Sequence, residues 1–461
     1  MTHLKATKFD ALEIGMTASL TRLCREDDLY IFAQSSGNLN PLHLPREDGD
    51  GDGVVEAVAP ELWLGALISG VLGTLLPGPG TVCRRQSFEF LGEALAGDTL
   101  TVSVTVVAKE AGRVVRLDTL VTRADGQRIV QGQAEVIAPE KDRDITIDAL
   151  PGLTVQRHRH FDLLLEQAEP LPPIPAAVVA PEGPNALGGA LLAADHTLIT
   201  PILVGCRSKI LAAAEQIGRN IEGLEIIEAD THVAAARLAV ELVRAGRAKA
   251  LMKGRIHTDV LLEAVMARAT GLRTGRRISH VFVMDVPGMA HLLLISDAAI
   301  NIAPDLATKV DITQNAIDLA HALGLAEPKV GILSAVETVT PKIPSTIDAA
   351  VLSKMAERGQ ITGGLVDGPL AMDNAIDLGA AQTKGIKGLV AGRAEILIVP
   401  NMEAGNMLAK ELSFVAHAGA AGVALGALCP IILTSRADDD KARLVSCAVA
   451  ALYHARGRVV T

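Results

Sequence analysis

The residues of this 461-residue chain that could do chemistry sit just behind short aliphatic runs. After Pro430-Ile-Ile-Leu433 comes Thr434-Ser435-Arg436, a hydroxyl beside a guanidinium, followed by Asp438-Asp-Asp440. A guanidinium is a fork of donors matched to phosphate oxygens, and a helix starting beyond it would add its dipole. The same residues would equally suit a turn in which Arg436 pairs with the aspartates. After Gly364-Leu-Val366 come Asp367 and Asp373, two carboxylates six residues apart. One of them could take the proton of a thiol, whose ordinary pKa of about 8.5 keeps it mostly neutral near pH 7. Alternatively Asp367 opens a turn with Gly368 and Asp373 caps a helix. After Ile396-Leu-Ile-Val399, Gly405 would allow close approach of a ligand, and Asn406 offers both donor and acceptor. After Ala250-Leu-Met252, the loop Lys253-Gly-Arg-Ile-His257-Thr258 supplies a cation and a hydroxyl. Both of these last loops also read as ordinary loop and cap chemistry. The glycine patterns that bind nucleoside triphosphates or dinucleotides are missing from the sequence.

Positioning four such loops takes a sheet, because ligands of open α/β sheets collect beyond the carboxyl ends of strands. From about residue 176 the chain alternates aliphatic runs with helix-period segments such as Thr231 to Arg244 and Ile347 to Glu357. That rhythm predicts a parallel sheet with helices on both faces over 176–461. Residues 10–140 have a different texture. Leu100 to Val107 and Arg128 to Ile137 alternate with period two, the mark of half-buried antiparallel strands, and Leu62 to Leu76 is apolar enough for a buried helix. This predicts an α+β domain. The charged Ala138 to Asp144 and the proline-rich Glu169 to Pro175 predict a linker over 141–175.

Composition narrows the partners. A formal charge of −10 argues against nucleic acid, and no apolar stretch reaches the ~20 residues of a membrane span. Five scattered cysteines, never in a CxxC pair, argue against disulfides or zinc and for a reducing cytoplasm. The acidic run Glu47 to Gly53 lacks the glutamate that closes a calcium loop and reads as solvated, so no metal is expected.

Taken jointly, Ser334-Ala-Val-Glu-Thr338, Val366 to Ala375, Pro400-Asn-Met-Glu-Ala-Gly-Asn406 and Leu433-Thr-Ser-Arg436 resemble, in order and spacing, the phosphate acetyl/butyryltransferases. The resemblance runs from about residue 180 to the end and looks closest to the butyryltransferase branch. It implies direct transfer of a short acyl group between coenzyme A and inorganic phosphate, through acyl phosphate. Arg436 would hold phosphate, Ser435 would hydrogen-bond the acyl phosphate, and an aspartate would deprotonate the thiol. The family's aspartate offset falls here on Ala442, which leaves Asp438 narrowly ahead of its neighbours. No cofactor beyond coenzyme A as substrate is implied, and a homo-oligomer is.

The N-terminal region, with Ser36-Gly-Asn38-Leu-Asn-Pro-Leu-His43 and its apolar helix, resembles MaoC-like hot-dog hydratases. Those use an Asp and a His five residues apart to activate water. Here His43 is present, but Asn38 stands at the Asp position and cannot accept the proton. Glu61 stands where the family's helix opens with a small glycine turn. The resemblance therefore implies an impaired hydratase site. The competing readings are an enzyme that also hydrates enoyl-CoA, and a non-catalytic acyl-CoA-binding regulator.

Overall fold

The computed structural model describes residues 2–148, 152–153, 155–433 and 439–457, and the chain divides into two units between Val155 and Gln156. In the first unit, α1 (Glu26–Ser36) and α2 (Glu61–Thr74) accompany eight strands. These are β1 (Thr2–Ala6), β2 (Thr17–Leu23), β3 (Val82–Gln86), β4 (Glu89–Phe90), β5 (Thr99–Glu110), β6 (Val114–Arg123), β7 (Arg128–Ile137) and β8 (Arg143–Ile147). The main sheet is antiparallel throughout, in the order β2-β5-β6-β7-β3 with β4 on β7.

The alternation read from sequence is the burial pattern itself. Leu100, Val102, Val104 and Val106 are fully buried while their neighbours face outward. They pack with Trp63, Leu64, Ile68, Val71 and Leu72 of α2, a helix apolar on nearly all sides. An antiparallel sheet wrapped on one central helix is the hot-dog fold, as expected. The stretch 141–175 is not a free linker, however. Residues 143–147 form β8, which pairs with β1, and residues 159–168 are helical. Charged side chains flank Ile145 and Ile147 and hid a short period-two strand.

The second unit holds β9 (Ile174–Val179), β10 (Ile199–Gly205), β11 (Ile226–Glu228), β12 (Ala250–Lys253), β13 (Ser279–Asp285) and β14 (Leu293–Ser296). It continues with β15 (Lys329–Leu333), β16 (Leu365–Leu370), β17 (Ile396–Ile398), β18 (Gly419–Leu425) and β19 (Ile431–Ile432). The helices are α3 (Arg159–Ala168), α4 (Pro184–Asp195), α5 (Arg207–Gln216), α6 (His232–Arg244), α7 (Thr258–Met266) and α8 (Leu306–Ala322). After them come α9 (Pro344–Glu357), α10 (Met372–Ile376), α11 (Leu378–Thr383), α12 (Met402–Phe414) and α13 (Asp440–Arg456).

All these strands join one sheet, in the order β11-β10-β9-β12-β19-β18-β13-β14-β17-β15-β16. It is flanked by helices, but it is mixed and not parallel. The wing β11-β10-β9-β12-β19 is parallel, and so is the wing β14-β17-β15-β16. Between them β18 runs antiparallel to both β19 and β13, and β13 antiparallel to β14. Three reversals leave the wings pointing in opposite directions. Their carboxyl ends therefore lie on opposite rims of the sheet.

Ile68→Ala in α2 removes a fully buried side chain and should destabilise the hot-dog unit by about 2–5 kcal/mol. Trp63, the only tryptophan, lies in the same cluster, so its fluorescence in a denaturant titration reads this loss directly.

Candidate functional site

Strands β9, β12 and β19 are neighbours and end on the same rim. The ladder between β9 and β12 continues past both strands, since Gly254 N donates to Val179 O at 2.9 Å and Arg255 N to Ala180 O at 2.7 Å. A Cβ on Gly254 would lie 2.5 Å from both Val179 O and Ala180 O, so only glycine lets the loop cross so closely. The loop then carries Lys253, Arg255 and His257 into a cavity of about 630 Å³. The cavity's other walls are Gly183 to Ala186 at the start of α4, His232 at the start of α6, and Arg443 from α13. Thr258 opens α7 beside it.

Three helix N-termini and five basic side chains thus face one space. The first N–H groups of a helix have no partner within it, and the aligned peptide dipoles add partial positive charge. The arrangement suits a ligand carrying phosphate. Arg443 reaches the cavity because Gly189 of α4 has no side chain; a Cβ there would sit 2.6 Å from Arg443 Cδ.

Glu182 underlies this wall. Its buried carboxylate accepts from Cys206 N at 3.0 Å, His232 Nε2 at 3.2 Å and Lys209 Nζ at 3.3 Å. Burial works against its charge, yet these three donors outweigh burial and hold the carboxyl below the usual range. One acid thereby orients the starts of α5 and α6. Arg255 and His257 belong to the loop that the sequence singles out with Lys253, whereas its motifs do not single out Glu182, His232 or Arg443. The signal for Glu182 was available, since it too stands just behind an aliphatic strand.

Ser435, Arg436 and Asp438 lie outside the described residues. Their flanks are described. Leu433 is buried, and its N–H donates to Gly422 O at 3.2 Å. Asp439 caps α13 by accepting from Ala442 N at 2.7 Å. A second cavity, of about 510 Å³, opens at this flank. Phe161, Phe282, Ala409, Phe414 and Ala420 make it largely apolar, while Asn406, Lys410, Asp439 and Lys441 line its edge. Asp439 and Ala442 line this cavity and Arg443 lines the cationic one, so the start of α13 borders both.

Of the other expected site residues, Asn406 lines the apolar cavity, with its Nδ2 donating to Ala298 O at 3.2 Å. Gly405 does not face a ligand. A Cβ there would meet Val399 Cγ2 at 2.7 Å and Ala298 Cβ at 3.0 Å, so the missing side chain lets α12 pack on its strand. Asp367 and Asp373 belong to β16 and the helix after it, on the other rim and six places along the strand order from β19. At about 4.8 Å per strand that separation is about 29 Å. Asp367 accepts from Gly368 N at 2.9 Å, and Asp373 pairs with Lys384 at 3.0 Å, whose ammonium holds its carboxyl below the usual range.

In the hot-dog unit, His43 is buried and its Nδ1 faces Val58 O at 3.0 Å. Its Nε2 faces the Glu61 carboxylate at 3.8 Å, whereas Asn38 Oδ1 accepts from Asn40 N at 3.2 Å. The carboxylate nearest the imidazole therefore comes from the first turn of α2. In the acidic loop, Asp48, Asp50, Asp52 and Glu56 bring carboxylate oxygens within 4.8 Å of one another, and Asp48 accepts from the amides of Gly51 and Gly53.

Glu182→Gln tests the cationic wall. A carboxyl depressed on folding contributes stability above its unfolded pKa of about 4.3, and loses it as pH falls through the folded value. The variant should melt below wild type at pH 7, and the gap should close as pH drops below about 4. Thermal unfolding at the two pH values measures both.

The sequence profile of the phosphate acetyl/butaryl transferase family matches residues 230–451. A phosphate acetyltransferase of Rhizobium meliloti is 60% identical over 298 residues, 65% of this chain and 94% of that protein. A phosphate butyryltransferase of Clostridium acetobutylicum is 44% identical over 251 residues, 54% of this chain and 83% of that protein. The kinship expected with the butyryltransferase branch is thus exceeded by an acetyltransferase. Among solved structures, a branched-chain phosphotransacylase from Enterococcus faecalis V583 superposes with a TM-score of 0.54 at 29% identity, covering 61% of this chain and 99% of that one. With a relative 60% identical over nearly its whole length, the chain belongs to the phosphate acetyl/butyryltransferase family.

Proposed function

We propose that the C-terminal unit moves a short acyl group between coenzyme A and inorganic phosphate, at the chain segment joining Leu433 to Asp439. The observation that carries this reading is the pair of cavities bordered by the start of α13, just beyond that segment. Three helix N-termini and five basic side chains on one side suit phosphate, and the apolar walls on the other suit an acyl group and the arm of coenzyme A. The coenzyme A thiol gives its proton to a base, the thiolate attacks the acyl-phosphate carbonyl, and the carbon–oxygen bond to phosphate breaks. Phosphate leaves as the thioester forms.

Arg436 holds the phosphate and offsets its growing charge, and Ser435 hydrogen-bonds the acyl-phosphate oxygens. Asp438 takes the thiol proton. Asp439 is less suited, because one of its oxygens is committed to the α13 cap. Asp367 and Asp373 have no part in this centre, at about 29 Å along the sheet. Lys253 and Thr258 bind phosphate groups at the cationic cavity, and Asn406 lines the acyl side.

The N-terminal unit binds acyl-CoA without hydrating it, since Asn38 cannot act as base and Glu61 crowds the start of α2. We also propose a homo-oligomer, in keeping with the exposed Leu39, Val54 and Leu62 of the hot-dog unit. A cytoplasmic setting fits the five free thiols, and among the described residues no helix is long and apolar enough to cross a membrane.

Purified protein should release thiol from acetyl- or butyryl-CoA only when phosphate is present, and Arg436→Ala should abolish the release. Silence of the wild type across acyl chains would refute the acyltransferase reading. Crotonyl-CoA hydration on the same preparation should stay at background and rise in Asn38→Asp. Hydration by the wild type would instead make the enzyme bifunctional.

A further inference from the structure

One wall of the apolar cavity is an aromatic ring held in place by the sheet. Phe161, in the first turn of α3, lines the cavity and is 1% exposed, so its ring lies flush with the wall and closes the space behind it. Two residues of one cross-strand pair hold it there. Asp285, at the end of β13, stands opposite Gly419, at the start of β18. The buried Asp285 carboxylate accepts from Phe161 N at 2.8 Å, which pins the root of the ring. A Cβ on Gly419 would meet Phe161 Cε2 at 2.7 Å and Cδ2 at 3.0 Å, so the ring edge occupies the place of the missing side chain.

His158 closes a third side, with its ring centroid 6.1 Å from that of Phe161 and tilted by 39°. Its Nε2 donates to His417 O at 2.9 Å, so this ring is fixed as well. Held on three sides, the Phe161 ring cannot swing out of the wall. Burying a carboxylate is costly unless it is hydrogen-bonded, and Asp285 directs that bond to the one amide that roots the ring. The start of α13 comes close to the same floor. Lys441 Nζ pairs with Asp162, the residue after Phe161, at 2.6 Å, and Asp439 and Ala442 line the cavity beside it. The floor therefore lies within the reach of two side chains from the start of α13, a span that suits a short chain.

We propose that Phe161 sets the longest acyl group the transferase accepts: the acyl chain enters the apolar cavity beside the start of α13, and its end stops against this ring. The proposal rests on the acyltransferase reading and adds the residue that limits its substrates. A cavity with a rigid apolar floor discriminates by length. Each added methylene gains by burial until the chain end meets the ring, and a longer chain must then displace packed atoms.

Phosphate-dependent thiol release from acetyl- to octanoyl-CoA, measured on the full chain, tests it through ratios of kcat/KM. A ratio of two substrates on one preparation does not depend on how much protein is folded, so lost packing alone leaves it unmoved. Wild type should favour butyryl- over hexanoyl-CoA by about tenfold or more. Phe161→Leu should raise the hexanoyl-to-butyryl ratio by about tenfold, and Phe161→Ala should extend the gain to octanoyl-CoA. Phe161→Met, close in volume but flexible, keeps the test open if the smaller side chains prevent folding, and should shift the ratio the same way. Ala420→Val, which adds bulk to another wall of the cavity, should lower the butyryl-to-acetyl ratio. Phe161 variants with wild-type ratios would overturn the proposal, whatever Ala420→Val does. So would a wild type that takes hexanoyl-CoA as well as butyryl-CoA. A KM change equal for every acyl-CoA would also overturn it, since the cavity would then hold the arm of coenzyme A. Absence of transfer by the wild type at every length would instead remove the acyltransferase reading itself.

Discussion

Strand β12 lies between β9 and β19, and all three run the same way. The starts of α4 and α7, the Lys253 loop and Leu433 at the end of β19 are brought to one rim by that arrangement. Nothing in those loops alone would keep them together, because they are separated by up to about 250 residues of chain. The ladder does so through backbone hydrogen bonds, which persist past the strand ends at Gly254 and Arg255. A one-residue slip between β9 and β12 would turn every side chain of the strand over and carry Lys253 to the opposite face. The aliphatic runs that fix the register therefore also fix the chemistry.

The same sheet concentrates charge. The chain as a whole carries −10, yet the cavity at this rim is lined by Lys253, Arg255, Arg443 and two histidines. Like charges so placed repel, and the structure offsets this with Glu182, buried among Lys209, His232 and the Cys206 amide. Breaking such a buried arrangement by removing one member leaves the rest uncompensated. Glu182 thus stabilises the wall without having to touch a ligand.

Much of the architecture could be read from residue patterns. The alternation over 99–110 and 128–137, the apolar helix around Trp63 and the aliphatic strand runs all stand where their periodicity put them. Strand direction could not be read. Ser279–Asp285 and Gly419–Leu425 are as buried and aliphatic as any parallel strand, and only pairing with distant partners makes them antiparallel. That gap explains why Asp367 and Asp373 seemed to belong beside Arg436: a strand-end rule places a residue at a rim, but not at which rim. Glu182, His232 and Arg443 were missed for a related reason. Each looks like a solvent-facing polar residue in its own segment, and only the β9-β12-β19 arrangement turns His232 and Arg443 into one cavity with Glu182 beneath its wall.

His43 and His280 show opposite uses of a buried imidazole. His43 is buried, but the exposed carboxylate of Glu61 lies 3.8 Å from its Nε2, so its second nitrogen has a charged partner within reach. His280 has no such outlet. It is shut inside the sheet layer with its Nδ1 unpartnered, and burial holds it neutral down to about pH 4. A ring that cannot take up a proton across the working pH range has no general acid–base role and can act only through geometry. Glycine at 422 leaves room for the ring, since a Cβ there would lie 2.8 Å from Leu433 O and 2.9 Å from His280 Nε2.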